Sequence, residues 1–305
     1  MRKKAVIAVV LVMALSAAAS ADGIGAFSAF KNGIGARALA MGGAFVAVAD
    51  DASAPLWNPA GLAQVTGTRL TGMSTSLSAL GSSNQYVGAV TTFADVGVGF
   101  SWNRSAVGDG VLPSVGEAFV GSLATNVFDG AMAGANLKYY RADDGLGAGA
   151  SGFGFDLGVL VNLDDMFVIG VNAMDLAGSS IEWDGGATDV VSGVYKAGLA
   201  MSLADDMLVL AADVDFDGSA LGDTHVGVEF QVIDELALRG GVVLTDSFQE
   251  YYFTVGAGIN VAGLYVDAAY ILEETLGNTL VLSAEFSLGG LLGEEEAPVE
   301  EIGTE

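Results

Sequence analysis

A chain of 305 residues with no cysteine and one histidine, His225, carries few groups able to do chemistry. Disulfides, thiolate nucleophiles and thiolate metal sites are excluded. One histidine leaves no His-clustered metal centre and argues against a Ser-His-Asp relay. Asp213-Val214-Asp215-Phe216-Asp217-Gly218 imitates the opening of a calcium loop. Its twelfth position is Thr224, where such a loop needs a bidentate Glu. Gly33 to Ala38 matches G-x-G-x-x-A, yet no strand precedes it as a dinucleotide site requires. No carboxylate pair stands out as a general acid and base. The residues therefore point to no enzyme, no cofactor and no metal.

What the chain does offer is charge of one sign. It has 37 Asp+Glu against 11 Lys+Arg and a net charge of -26, which repels phosphate backbones and excludes a nucleic-acid partner. The scarce cations Lys31, Arg37, Lys138, Lys196 and Arg239 are the candidates for holding a carboxylate-bearing ligand. Each is expected beside an Asp or Glu, because the acids are in such excess.

The elements that must position these residues follow from hydropathy. The chain is 52% hydrophobic and only 16% charged, as a membrane protein would be. Arg2, Lys3 and Lys4 precede an apolar run from Ala5 to Ala19, and Ala19-Ser20-Ala21 gives the small-residue cleavage pattern. Residues 1–21 read as a signal peptide, with the mature chain starting at Asp22. No later segment is apolar enough for a membrane helix. From residue 67 onward the hydropathy alternates with period two. Phe253, Val255, Ala257, Ile259 and Val261 alternate with Thr254, Gly256, Gly258 and Asn260, and Leu280 to Leu288 repeats the pattern. Lys138, Asp156, Lys196, Asp213, Asp215, Glu229, Arg239, Asp267 and Glu285 all fall on the polar face. Strands with one apolar and one polar or tiny face suit a membrane barrel, lipid outside and lumen inside.

Strands are expected near 67–79, 84–92, 94–105, 115–127, 129–142, 150–163, 165–177, 188–203, 206–217, 222–233, 235–245, 250–262, 263–273 and 277–288. That makes an all-β fold, an antiparallel transmembrane β-barrel of about fourteen strands over residues 67–288. Tight turns such as Ala94-Asp95 and Ala262-Gly263 alternate with longer connections at 106–114, 143–149 and 178–187. Residues 289–305 hold Glu294, Glu295, Glu296, Glu300, Glu301 and Glu305, a block read as a disordered acidic tail.

Residues 22–66 do not alternate. A stretch near 36–48 is Ala-rich and weakly helical, and Asn58-Pro59-Ala60 reads as an N-cap followed by proline at the first helical position. The order G-A-R-A-L-A-M-G-G-A-F-V-A-V-A-D-D, then W-N-P-A-G-L, resembles the N-terminal plug of the FadL/TodX outer-membrane transport family, closest to its PorV/PorQ-like branch. Gly35, Arg37, Gly42, Gly43, Asp50, Asp51, Asn58, Pro59 and Ala60 carry the likeness. The resemblance implies that residues 22–66 form a luminal plug with short helices, in the outer membrane of a diderm bacterium. It implies passage of hydrophobic or amphipathic, fatty-acid-like solutes. Outer-membrane lipid and the barrel-assembly machinery would then be partners. The PorV-like motif also leaves open a structural or secretion-associated barrel that shuttles or anchors exported proteins, with secretion-system components as partners.

Overall fold

The computed structural model describes residues 33–77, 82–107, 114–217, 220–245, 248–273 and 277–289. The expected signal peptide, Lys31 with the expected start of the plug, and the expected acidic tail from residue 290 lie outside these residues. Sixteen strands pair in one antiparallel sheet. They are β1 (Thr68–Leu77), β2 (Ser82–Phe93), β3 (Val96–Val107), β4 (Ser114–Phe128), β5 (Ala131–Asp143), β6 (Gly149–Asn162), β7 (Phe167–Met174), β8 (Ser179–Trp183), β9 (Thr188–Val191), β10 (Val194–Leu203), β11 (Leu208–Asp217), β12 (Ala220–Ile233), β13 (Leu236–Thr245), β14 (Glu250–Val261), β15 (Leu264–Leu272) and β16 (Thr279–Ser287). Strands β8 and β9 form a hairpin attached to β6, and the other fourteen close on themselves. β1 pairs with β16, and β5 with β6. Closure leaves the ring no free edge, which a spanning sheet requires.

Period two places the side chains as the sequence reading expects. Leu282 is 51% exposed on the outer face, while Val281 beside it is buried in the lumen. Phe100, Leu123, Phe155, Leu238, Phe253 and Ile259 continue an exposed apolar belt that lipid would solvate. The ionisable residues expected on the polar face point inward and are buried or nearly so.

The longest strand connections fall at one end. Connections at one end run two to four residues. At 94–95 and 262–263 both central residues take positive φ, matching the strand twist of a type I′ hairpin. At the other end the connections range from two residues, at 218–219, to six, at 108–113 and 273–278. In connection 144–148 the Asp144 carboxylate accepts the amides of Leu146 and Ala148 at 2.8 and 3.0 Å. Those bonds hold its carboxyl below the usual carboxylate range.

One stretch of the wall corrects the sequence reading. Residues 178–187 are not a plain loop, and 188–203 is not one strand. β7 stops at Met174, where Asp175 and Ala177 take φ of 47° and 65°. The chain then builds β8 against Ala150–Gly152 of β6 and returns as β9, which pairs with β8 alone. Alternation persists through such a hairpin, so hydropathy alone cannot separate it from a wall strand.

Candidate functional site

Residues 33–66 lie inside the ring. Helix α1 (Ala36–Ala40) is followed by a turn, helix α2 (Ala54–Trp57) and a 3₁₀ helix (Pro59–Gln64). The helical stretch expected over 36–48 ends at residue 40. Gly42 and Gly43 adopt φ of 69° and 81°, and their amides return to Leu39 and Ala38, which closes the helix as a Schellman motif. Asn58 does cap the next turn. Its side chain accepts the Ala60 amide at 3.2 Å with Pro59 at the first position.

So short and irregular a segment cannot satisfy its own backbone groups, and buried ones must find partners elsewhere. Polar side chains of the wall supply them. Ser283 Oγ accepts the Ala36 amide at 3.0 Å, and Thr254 donates to the Ala40 carbonyl at 2.8 Å. One carboxylate oxygen of Asp213 accepts both the Phe45 and Val46 amides, at 2.6 and 2.8 Å. Asn136 donates to the Pro55 carbonyl and Asn172 to the Trp57 carbonyl, at 2.6 and 2.7 Å. Tyr86 donates to Ala52 O while Glu285 accepts Ala52 N. His225 Nδ1 lies 2.7 Å from the Gly42 carbonyl, which can only accept, so that nitrogen carries the proton.

Wall glycines let the two backbones meet. A Cβ on Gly134 would fall 2.3 Å from the Pro59 carbonyl carbon, and one on Gly241 would fall 2.3 Å from Gly42 N. Gly97, Gly170 and Gly227 stand equally close to plug carbonyls. The small lumen residues therefore leave no open bore at this level; they make room for the plug.

Charge locks the same segment. Arg37 meets Glu229 through two hydrogen bonds of 2.8 Å and also pairs with Asp50 at 2.5 Å. Arg239 continues the chain, bonding Glu229 at 2.5 Å and Asp267 at 2.6 Å. Arg69 meets Glu285 at 3.2 Å. This network lines a 430 Å³ cavity that also reaches the β12–β13 turn at Asp234 and Glu235, on the tight-turn side of the plug. On the opposite side Lys138 is held by Asp156 at 2.7 Å and Asp175 at 3.1 Å, and Asp175 also accepts from Tyr140 and Ser179. Lys196 binds Asp215 at 2.7 Å. Thus Arg37, Lys138, Lys196 and Arg239 each sit against at least one carboxylate; Arg37 and Arg239 share one cluster, and Lys138 and Lys196 occupy two others.

Beside Lys138 lies a pocket lined by Leu56, Ala118, Val120, Met174, Val191 and Val194, with Asn103, Tyr140 and Asp175 at its polar edge. Its volume of about 20 Å³ holds roughly one water. Met174 and Val191, which line it, flank the place where β7 leaves the wall. The sequence reading missed Ser283, Thr254, Asn136, Asn172 and Tyr86 as plug contacts. Their inward direction was legible from period two, but their partners were not. No group of three or more metal-ligating side chains occurs among the described residues.

Fold and site together define a plugged fourteen-stranded barrel with an apolar outer belt. No protein-family model matches the sequence, and no curated protein matches it. Solved structures of a transporter, a channel and a FadL homologue do match in fold. The Pseudomonas putida toluene transporter TodX superposes with a TM-score of 0.66 at 14% identity, over 84% of this chain and 99% of its own. The monoaromatic hydrocarbon channel CymD gives 0.64 at 13% identity, over 84% and 97%. A Pseudomonas aeruginosa FadL homologue gives 0.60 at 14% identity, over 89% and 100%. The chain shares the FadL/TodX-type barrel fold.

Proposed function

We propose that this protein is an outer-membrane channel that admits hydrophobic or amphipathic solutes, with the plug as its stopper. The observation that carries the reading is how the plug is held. It is docked by side-chain hydrogen bonds and ion pairs, while the ring's own strand bonds close without it. A stopper held this way can shift without unfolding the wall. The solute class is argued from the pocket beside Lys138, whose wall is mostly aliphatic. In the closed state it is too small for a solute, so passage requires α2 with Leu56 to move. The break between β9 and β10, directly behind this pocket, is the place we assign to the solute's route. The fold likeness to channels described for toluene and monoaromatic hydrocarbons supports the same class, as does the plug motif. A cleaved signal peptide and a fatty-acid-like solute are part of this proposal.

Uptake assays in cells lacking their own channel for the solute test it. Labelled toluene and a long-chain fatty acid should enter faster with the protein present, and a small sugar should not. Val191→Trp, which fills the pocket mouth, should reduce that uptake. Equal entry of the sugar would make the barrel a general pore. No gain for either apolar solute would remove the transport reading.

A further inference from the structure

Among the described residues there are seven lysines and arginines, and five of them face the lumen paired with carboxylates. The other two, Arg104 and Arg141, lie on the outer face and form no ion pair with any described residue. They are on β3 and β5 at the same level. Arg104, Glu117, Arg141, Ser151 and Glu182 stand in direct register across β3, β4, β5, β6 and β8. Glu117 lies one strand from each arginine yet bonds neither. Its carboxylate instead accepts from Trp102 Nε1 at 3.2 Å, toward the barrel's middle. Two residues further in, about 7 Å along the strands, a second row is aromatic throughout. Trp102, Phe119, Tyr139 and Phe153 are in register, with ring centroids 6.3 Å apart for Phe119–Tyr139 and 5.2 Å for Tyr139–Phe153. Below that row Gly121 faces outward with nothing within 4 Å of where a Cβ would stand. Its register neighbours Phe100 and Leu137, both at least half exposed, make the sides of this notch.

We infer that this face of β3–β6 is a binding site for one phosphorylated anionic lipid of the surrounding leaflet. Arg104 and Arg141, about 10 Å apart across two strand spacings, flank the phosphate. The aromatic row lies at the level of the headgroup–acyl boundary, where amphipathic rings settle. The notch at Gly121 receives an acyl chain. Guanidinium groups suit the task, since they donate several hydrogen bonds to phosphate oxygens and keep their charge. The site is independent of the lumen and of what passes through it.

Native mass spectrometry of the full-length detergent-extracted barrel tests this, with phosphatidylglycerol and phosphatidylcholine of matched chains in equal amounts. The wild type should retain phosphatidylglycerol over phosphatidylcholine. Arg104→Gln and Arg141→Gln should each lower that preference by about tenfold, the factor for 1.4 kcal/mol. Gly121→Leu should lower retention of both lipids and leave their ratio unchanged. All three positions face outward, and heat-modifiable migration on gels verifies the fold of each variant. Equal retention of the two lipids by the wild type overturns the inference without any variant. An unchanged preference in both arginine variants overturns it as well. So does displacement of the lipid by millimolar inorganic phosphate, which would make the occupant a free anion.

Discussion

Arg37 illustrates how far a single residue can be read. Its place in the motif was visible, and an acidic partner was expected simply because acids are abundant. Which acids was not legible, since Glu229 is 192 positions away and arrives only when β12 closes the lumen. Arg37→Gln should leave Glu229 and Asp50 facing each other with one cation fewer. Glu229 keeps Arg239 as a partner and Asp50 is partly exposed, so the cost stays below the about 3–5 kcal/mol of stranding a buried charge, and it falls on plug docking rather than on the wall. The expected outcome is a folded barrel with intermittent single-channel openings in planar bilayers; a silent variant would show that the network does not hold the plug shut. Ser283 teaches the converse. A polar inward residue reads as one facing a wet lumen, but it accepts an amide of α1 in a filled interior.

At the level of elements, period two fixes direction strongly and function weakly. Leu282→Lys places a cation in lipid, at about 2–4 kcal/mol near the midplane, and should reduce the yield of folded barrel. Ser283→Lys, one residue on, should spare the wall and unseat α1. The two variants should therefore fail differently, the first in heat-modifiable migration and the second in conductance. An identical defect in both would mean the register is wrong. Glycines follow the same logic. Gly134→Val drives a side chain into the Pro59 backbone, an overpacking of about 1–3 kcal/mol or more. It should loosen the 3₁₀ turn, measured as faster proteolysis within residues 54–66, while β5 stays paired. Alternation marked Gly134 as inward. That it is small for the sake of a plug carbonyl could not be seen, because the contact lies between segments distant in sequence.

For the whole molecule the decisive test is removal of the plug. The ring bonds close between β1 and β16 without residues 33–66. Deleting residues 22–66 should therefore leave a folded, heat-modifiable barrel. Fourteen strands enclose more than side chains can fill, since about eight already mark that limit. The emptied lumen should conduct and prefer cations, because Asp213, Glu229 and Glu285 lose their plug partners and keep their charge. A deletion that does not fold would make the plug an obligatory core, and one that folds but stays silent would remove the stopper reading. The sequence by itself determined the barrel, its inward and outward faces and its tight turns, because alternation, turn geometry and hydropathy act over neighbouring residues. It also marked Asn58 as a cap, which needs only the amide two residues on. Only the tertiary structure decided that β7 yields its place to a hairpin, that lumen glycines seat a plug, and that Arg104 and Arg141 share one outer face. Those facts depend on which strands become neighbours and in what register, and register is set by closure of the whole ring.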